Sequence, residues 1–160
     1  MTRSPNDETG RAPDRHRLSP DLIGFRLLKL TNLMSQPFFA RIAKQHDLTL
    51  NEWRSMVAIS ASPGCAAEDI SAATGIHPMN ISRAVTSLKK RGFVDHAPDP
   101  GNHRRILLTL SPAGRAKFSE IAPMSENQSR QLLSPLSEEE IEAFSRILDK
   151  LVNQAETMVP

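Results

Sequence analysis

One cysteine, one tryptophan and no tyrosine occur among the 160 residues of the chain. The single cysteine, Cys65, has no partner for an internal disulfide, which is typical of proteins in a reducing compartment. The small aromatic content also argues against a platform on which unpaired bases stack. The longest apolar run covers residues 56–59, whereas a membrane-spanning helix requires about 20 apolar residues. The sequence therefore indicates a cytoplasmic protein that does not contact a membrane.

Signatures of enzymes and metal sites are missing as well. The chain contains no GxxxxGK[ST] phosphate loop, no HExxH zinc motif and no GxSxG nucleophile elbow. No two of the five histidines stand three or four residues apart, as metal-binding histidines on one helix would. We expect a protein that is not an enzyme and that holds no metal or cofactor.

Composition and charge change along the chain. The first 18 residues are rich in arginine, proline and polar residues, which predicts a disordered arm before a single domain over residues 19–160. Residues 77–105 contain six basic and two acidic side chains, whereas residues 134–160 contain six acidic and two basic ones. The first of these two segments is therefore the candidate for an anionic partner.

The middle of the chain predicts two short helices, a tight turn between them and a β-hairpin. The predicted elements are a helix capped by Asn51 and ending near Ala61, a helix over 68–74 ended by Gly75, a helix from His77 and Pro78 to Arg91, and strands over 93–97 and 104–110 around a loop at 98–103. This order is typical of a winged helix-turn-helix lobe, whose second helix enters the major groove of DNA. We expect the lobe to span residues 50–112.

The second helix of this pair has one apolar and one polar side. Arginine can pair with guanine through two hydrogen bonds and asparagine with adenine, so Arg83 and Asn80 are the candidates for reading bases. Arginine on a hairpin tip suits a narrow minor groove with its strong negative potential. The candidate DNA-binding residues are Pro78, Met79, Asn80, Ser82, Arg83, Thr86 and Lys90 on the helix and His103, Arg104 and Arg105 on the hairpin.

Four stretches resemble the MarR family of bacterial transcriptional regulators, namely residues 48–54, 75–85 and 88–94, and Arg104 together with 110–114. The resemblance extends from about Pro20 to Met158. It implies a mainly α-helical (α+β) fold, in which a winged helix-turn-helix lobe with a small β-hairpin wing adjoins a dimerisation region of N- and C-terminal helices. It also implies a homodimeric regulator of double-stranded DNA, usually a repressor, that a small ligand or cysteine oxidation releases. Asn102 departs from the family, which usually has an aspartate there that pairs with the arginine at the wing tip.

Apolar stripes mark helices at both ends of the chain. Ser19 and Pro20 open the first helix, and Pro37 predicts a kink or break near Gln36. Ser111 and Pro112 open the helix after the hairpin, and Ser137 forms a capping box with Glu140 before the last helix. The stripes consist of Ile23, Leu27, Leu30 and Met34 in the first helix and Ile141, Phe144, Leu148 and Leu151 in the last.

A lobe as small as residues 50–112 does not need both stripes to cover it. We therefore expect residues 19–46 and 112–158 to form the interface of a homodimer, with packing of the two stripes within one monomer as the alternative. Two-fold symmetry then predicts a pseudo-palindromic operator with half-sites about 10 base pairs apart.

In relatives of this kind the effector binds between the helical dimerisation region and the DNA-binding lobe. Aromatic side chains could enclose a ring there, and a basic side chain could pair with a carboxylate. The resemblance therefore implies a small aromatic carboxylate as effector and, as candidate ligand-binding residues, Phe25, Lys29, Phe38, Phe39, Trp53, Arg54 and Phe118.

Two alternative functions stay open. The winged helix could serve a protein partner instead of DNA, although the basic hairpin argues against this function. The chain could also be a redox-responsive regulator that uses Cys65. In the peroxide-sensing branch of the family the cysteine lies in the first helix near tyrosines, and this chain has no tyrosine. We therefore expect Cys65 to be a small buried or half-buried hydrophobic residue.

Overall fold

Six helices and one two-stranded antiparallel sheet make up the part of the chain that this computed structural model describes, residues 22–158 without the Phe39 side chain. The elements are α1 (Ile23–Pro37), extended by a π-helical stretch (Phe38–Ile42) and a last α-helical turn (Ala43–His46), α2 (Leu50–Ala61), α3 (Ala67–Thr74), α4 (Pro78–Lys90), β1 (Val94–Asp99), β2 (Asn102–Leu110), α5 (Pro112–Leu133) and α6 (Glu138–Thr157). The predicted fold class is confirmed. The predicted arm over residues 1–18 and the predicted cap at Ser19 and Pro20 lie outside the described residues.

We had predicted a kink or a break near Gln36; the first helical segment does not break there but stays helical from Ile23 to His46. Pro37 has no backbone N–H, so one carbonyl of the preceding turn loses its helical donor. The wider π-helical turn starts directly after this proline and takes up the irregularity. The segment ends at Asp47, whose φ of 51° lies in the left-handed region.

Helix α2 begins two residues earlier than the predicted cap at Asn51 requires. Its N-cap is Thr49, whose hydroxyl accepts a hydrogen bond from the Glu52 N–H at 3.2 Å. The Glu52 carboxylate in turn accepts one from the Thr49 N–H at 2.6 Å. This reciprocal capping box satisfies two backbone donors, whereas asparagine at position 51 would satisfy only one.

The hydrophobic core lies where α2, α3, α4, the hairpin and the first half of α5 meet. Its fully buried members are Met56, Ile59, Ile70, Ile81, Leu88, Leu108 and Ile121. Cys65 is also buried, as predicted, and its backbone carbonyl accepts a hydrogen bond from the Leu108 N–H at 2.9 Å. Val57 of α2, in contrast, is 41% exposed.

The two strands of the hairpin are longer than predicted. Strand β1 continues to Asp99 and β2 already starts at Asn102, so only two residues remain in the turn. The Asp99 carboxylate accepts a hydrogen bond from the Gly101 N–H at 2.8 Å. The Asn102 side chain accepts one from the Arg104 N–H at 3.2 Å. These local acceptors hold the tip in a tight turn where the sequence suggested a loop.

Two buried serines allow a matched test of the core. Ser55 is fully buried, and its hydroxyl has no hydrogen-bond partner among the described residues, whereas the buried Ser111 hydroxyl donates to the Gly92 carbonyl at 2.6 Å. Because a buried unpaired hydroxyl costs about 1–3 kcal/mol, we expect Ser55→Ala to raise the free energy of unfolding by about 1 kcal/mol. Ser111→Ala should lower it by a similar amount. Denaturant unfolding of both variants checks this, and a change of the same sign in both would contradict it.

Candidate DNA-binding surface

Helix α4 starts from a tight turn after α3. Gly75 ends α3 with a φ of 66°, a backbone conformation that glycine adopts without strain. The Ser71 hydroxyl donates to the Ile76 carbonyl at 2.6 Å and so fixes the turn. His77 caps α4, as predicted, because its Nδ1 accepts a hydrogen bond from the Met79 N–H at 3.2 Å. Pro78 then occupies the first helical position, where its missing N–H costs nothing.

The two sides of α4 have opposite environments. Its buried side consists of Ile81, Ala84, Val85 and Leu88. The seven predicted DNA-binding residues of the helix are all exposed, namely Pro78, Met79, Asn80, Ser82, Arg83, Thr86 and Lys90. Within the described residues, no hydrogen bond or ion pair engages the side chains of Arg83 and Asn80. Met79, 56% exposed, adds an apolar contact surface beside them.

On the hairpin, the structure separates the two adjacent arginines. His103 and Arg104 are exposed at the start of β2, as predicted. We had expected the Arg105 side chain at the hairpin tip as well. It turns back instead to the N-terminal end of α3. The reason is the negative charge of the acidic side chains near the start of α3, which the residues next to position 105 in the sequence do not reveal.

Three carboxylates surround the Arg105 guanidinium. It forms a hydrogen-bonded ion pair with Asp69 and lies 3.7 Å from Glu68 and 3.9 Å from Asp99. The backbone N–H of Ala66, at 2.8 Å, and the Arg105 guanidinium together hold the pKa of Asp69 below its usual value. Arg105 therefore ties the hairpin to α3 and leaves Arg104 as the outward arginine of the wing.

A groove of about 260 Å³ lies between α4 and the hairpin. Ser82 and Thr86 line it from α4 together with Lys89, and Arg104 lines it from β2. Glu68 lines it from α3, where its carboxylate lies 3.7 Å from the Arg105 guanidinium. Hydroxyl, ammonium and guanidinium groups are the donors that contact phosphate oxygens in protein–DNA complexes. The groove is therefore suited to a stretch of sugar-phosphate backbone.

Beneath α4, the buried carboxylate of Glu52 contacts the helix from inside. Its Oε1 accepts a hydrogen bond from the Ser87 hydroxyl at 2.5 Å and lies 3.6 Å from an Arg91 nitrogen. Burial alone would raise the pKa of Glu52, but the hydrogen bonds from Ser87 and Thr49 and the charge of Arg91 hold that pKa below its usual value. Glu52 was not among the predicted site residues, although the capping-box spacing from Thr49 marked it.

A second concave site of about 660 Å³ lies between the first helical segment, α2 and α5. Of the predicted ligand-binding residues, Phe38, Trp53 and Arg54 line it. Among the described lining residues Arg54 alone is charged. Lining residues that the sequence analysis did not name as ligand-binding include Thr31, Met34 and Ser35 of the first helical segment, Val57 of α2, and Gln128 and Ser129 of α5.

The other predicted ligand-binding residues lie elsewhere. Phe118 stacks on Trp53 with ring centroids 5.3 Å apart and so supports the cavity without lining it. Phe25 and Lys29 are exposed and do not line the cavity, contrary to our prediction, because both lie before the part of α1 that faces it. The Phe39 side chain lies outside the described part of the chain.

Other kinds of site are not found in the described residues. Over 22–158, no three histidine, cysteine or acidic side chains come close enough to hold a metal ion. The helices of this part of the chain are too short or too polar to cross a membrane. The DNA-binding surface and the cavity are therefore the two features that a function has to explain.

The helix pair, the exposed face of α4 and the hairpin beside it define a winged helix-turn-helix DNA-binding protein. The model of the MarR family matches residues 46–105. A probable transcriptional regulator from Pseudomonas aeruginosa is 31% identical, and the match covers 82% of this chain and 97% of that one with a TM-score of 0.68. The chain belongs to the MarR family of transcriptional regulators.

Two further relatives are informative about this family. The homoprotocatechuate degradative operon repressor of Escherichia coli is 21% identical over 115 residues, which are 72% of this chain and 78% of the repressor. BpsR of Bordetella bronchiseptica, whose DNA binding is regulated by 6-hydroxynicotinic acid, is 25% identical with a TM-score of 0.72. That match covers 82% of this chain and 94% of BpsR.

Proposed function

We propose that this protein is a homodimeric repressor that binds a pseudo-palindromic operator and is released by a small aromatic carboxylate. The observation that carries the proposal is the exposed polar face of α4, with Arg83 and Asn80 unpaired among the described residues, beside a wing with an outward Arg104. The E. coli relative is an operon repressor, which supports repression. The regulation of BpsR by 6-hydroxynicotinic acid supports control by a small ring compound.

Each DNA-contacting residue has a distinct role in this proposal. Arg83 and Asn80 read base edges in the major groove, where guanidinium and amide groups distinguish guanine and adenine. Met79 and Ser82 contact neighbouring bases, and Thr86 and Lys90 contact the backbone together with the N-terminal end of α4 at Pro78. Arg104 enters the minor groove beside His103. Arg105 contributes by holding the wing in place.

The terminal helices support a dimer. Neither α1 nor α6 has a buried residue, so the two stripes do not cover each other within one chain. Large apolar side chains stay exposed on both helices, among them Ile23, Leu28, Ile147 and Leu151. A second copy of the chain would remove this surface from water and place two α4 helices about one turn of DNA apart.

The cavity supports the effector class. Phe38 and Trp53 offer aromatic surface to a ring, and Arg54 offers the charge for a carboxylate. The redox alternative is disfavoured because Cys65 is buried, and burial together with the Asp69 carboxylate raises the pKa of its thiol. A thiol that rarely ionises is a poor peroxide sensor.

Replacing Arg83 tests the proposal. We expect Arg83→Ala to weaken binding to the preferred duplex by about 1–3 kcal/mol, because one bidentate base contact is lost, and to leave binding to a scrambled duplex unchanged. The measurement is fluorescence anisotropy on duplexes tiled across the upstream region of the gene. Arg130→Ala removes an exposed arginine from α5 and should change neither affinity.

Two outcomes would contradict the proposed function. Equal weak binding of the unchanged protein to every tile would leave only non-specific electrostatic attraction and favour a protein partner for the winged helix. An equal loss on preferred and scrambled duplexes in Arg83→Ala would show that Arg83 contacts phosphate and reads no base.

A further inference from the structure

A buried carboxylate joins α2 to α4. Glu52 is 3% exposed and uses its two oxygens for different elements. Oε2 accepts the Thr49 N–H at the start of α2, and Oε1 accepts the Ser87 hydroxyl from the inner side of α4. A hydrogen bond to a buried charge is stronger than one between neutral groups and is lost at a higher cost.

A second tie joins the end of α4 to the same segment. The Arg91 guanidinium donates to the Asp47 carbonyl at 2.6 Å and lies 3.6 Å from Oε1 of Glu52. The guanidinium carbon also lies 5.1 Å from the centroid of the Phe93 ring. Ser87 in the last turn of α4 and Arg91 directly after it are thus both joined to the segment of residues 47–52.

Residues 47–52 also connect the two elements that form one side of the cavity. Phe38 and Ile42 line the cavity just before this segment, and Trp53 and Arg54 line it directly after. A relative movement of these elements would therefore displace the groups to which α4 is tied. The Ser87 hydroxyl turns towards Glu52, although Ser87 itself is partly exposed and lies one helical turn after Arg83 on the flank of α4.

We infer that Glu52 is a positioning residue for base reading. Through its hydrogen bond with the Ser87 hydroxyl, Glu52 holds α4 in the orientation that the DNA-facing side chains of this helix need. This inference rests on the proposed DNA-binding function. Base-edge hydrogen bonds require a fixed helix orientation, whereas phosphate contacts by long, flexible side chains tolerate a tilted helix. Loosening the tie should therefore reduce discrimination between sequences more than overall attraction to DNA.

The test compares Ser87→Ala with Ser87→Thr in the full chain. Ser87→Ala removes the hydroxyl that joins α4 to Glu52 and leaves every DNA-facing side chain in place. We expect it to weaken binding to the preferred duplex by about tenfold, with little change on the scrambled duplex. Ser87→Thr keeps a hydroxyl at this position and should restore most of the discrimination. Ser60→Ala, a partly buried serine of α2 outside the network, is the matched control.

Thermal unfolding of the same samples separates positioning from folding. A purely structural role for Ser87 would reduce binding to both duplexes in proportion to the unfolded fraction, and this result would overturn the inference. Unchanged discrimination in a folded Ser87→Ala variant would also overturn it and leave the proposed function intact. Failure of the unchanged protein to prefer any duplex would overturn the proposed function together with the inference.

Discussion

Replacing Gly114 with alanine is expected to lower the unfolding midpoint by about 4–8 °C, although alanine is the better helix former. The added Cβ would lie 1.9 Å from the carbonyl oxygen of Phe93, far inside van der Waals contact. Overpacking of this kind costs about 3 kcal/mol, which exceeds the gain of up to about 1 kcal/mol in helix propensity. For a chain of this length each kcal/mol shifts the midpoint by about 2–4 °C.

The neighbouring contacts leave the Phe93 carbonyl little room to move. It accepts the Ser111 N–H at 3.0 Å, and the Ser111 hydroxyl accepts the Gly114 N–H at 2.9 Å. Gly24→Ala in α1 is the matched control, because among the described residues no atom beyond its own helical turn and chain neighbours lies within 4 Å of its added Cβ, and it should leave stability unchanged or slightly higher. Differential scanning fluorimetry at one protein concentration compares the variants. A midpoint for Gly114→Ala at or above that of the unchanged chain would refute the steric argument.

A double substitution in α6, Leu148→Glu with Leu151→Glu, is expected to convert the dimer to a monomer and to weaken operator binding by a factor of about 10² or more. Glutamate favours helix, so α6 itself should persist, but two charges would replace the apolar stripe of the proposed interface. A monomer engages one half-site only and loses the gain from binding both together, which is about 10²–10⁴. Light scattering should give a mass near the chain mass of 17.7 kDa, half that of the unchanged protein.

The control for this pair adds the same charge away from the stripe. Asn153 and Thr157 are exposed positions on the opposite side of α6, and Asn153→Glu with Thr157→Glu should leave both the dimer mass and operator affinity unchanged. Dissociation in the control as well would show that net charge, and not loss of the apolar stripe, separates the subunits. A dimer that survives Leu148→Glu with Leu151→Glu would place the interface elsewhere.

Local sequence signals predicted the order of helices and strands, because caps, prolines and apolar spacing act over a few residues. His77 before Pro78 and the Ser137 capping box are confirmed. The cap of α2 was misplaced although the spacing of Thr49 and Glu52 is the local signal of a capping box, which satisfies two backbone donors where a cap at Asn51 would satisfy one.

The candidate site was predictable where one helix supplies it. Periodicity alone separated the exposed face of α4 from its core face. Periodicity does not reveal contacts across the chain, so the turn of Arg105 towards Asp69 and the distance of Phe25 from the cavity were missed. The lining residues of α5 were missed for the same reason, since they meet α1 only after folding.

The carboxylates around Arg105 change the count of cations that DNA encounters. Of the six basic residues between positions 77 and 105, Arg91 and Arg105 are engaged by acidic groups of the protein, which leaves Arg83, Lys89, Lys90 and Arg104. Each phosphate neutralised by a cation releases about 0.9 of a condensed counterion. At most four outward cations of this segment are therefore available to displace counterions at each half-site, so operator occupancy should respond less steeply to ionic strength than a count of basic residues implies.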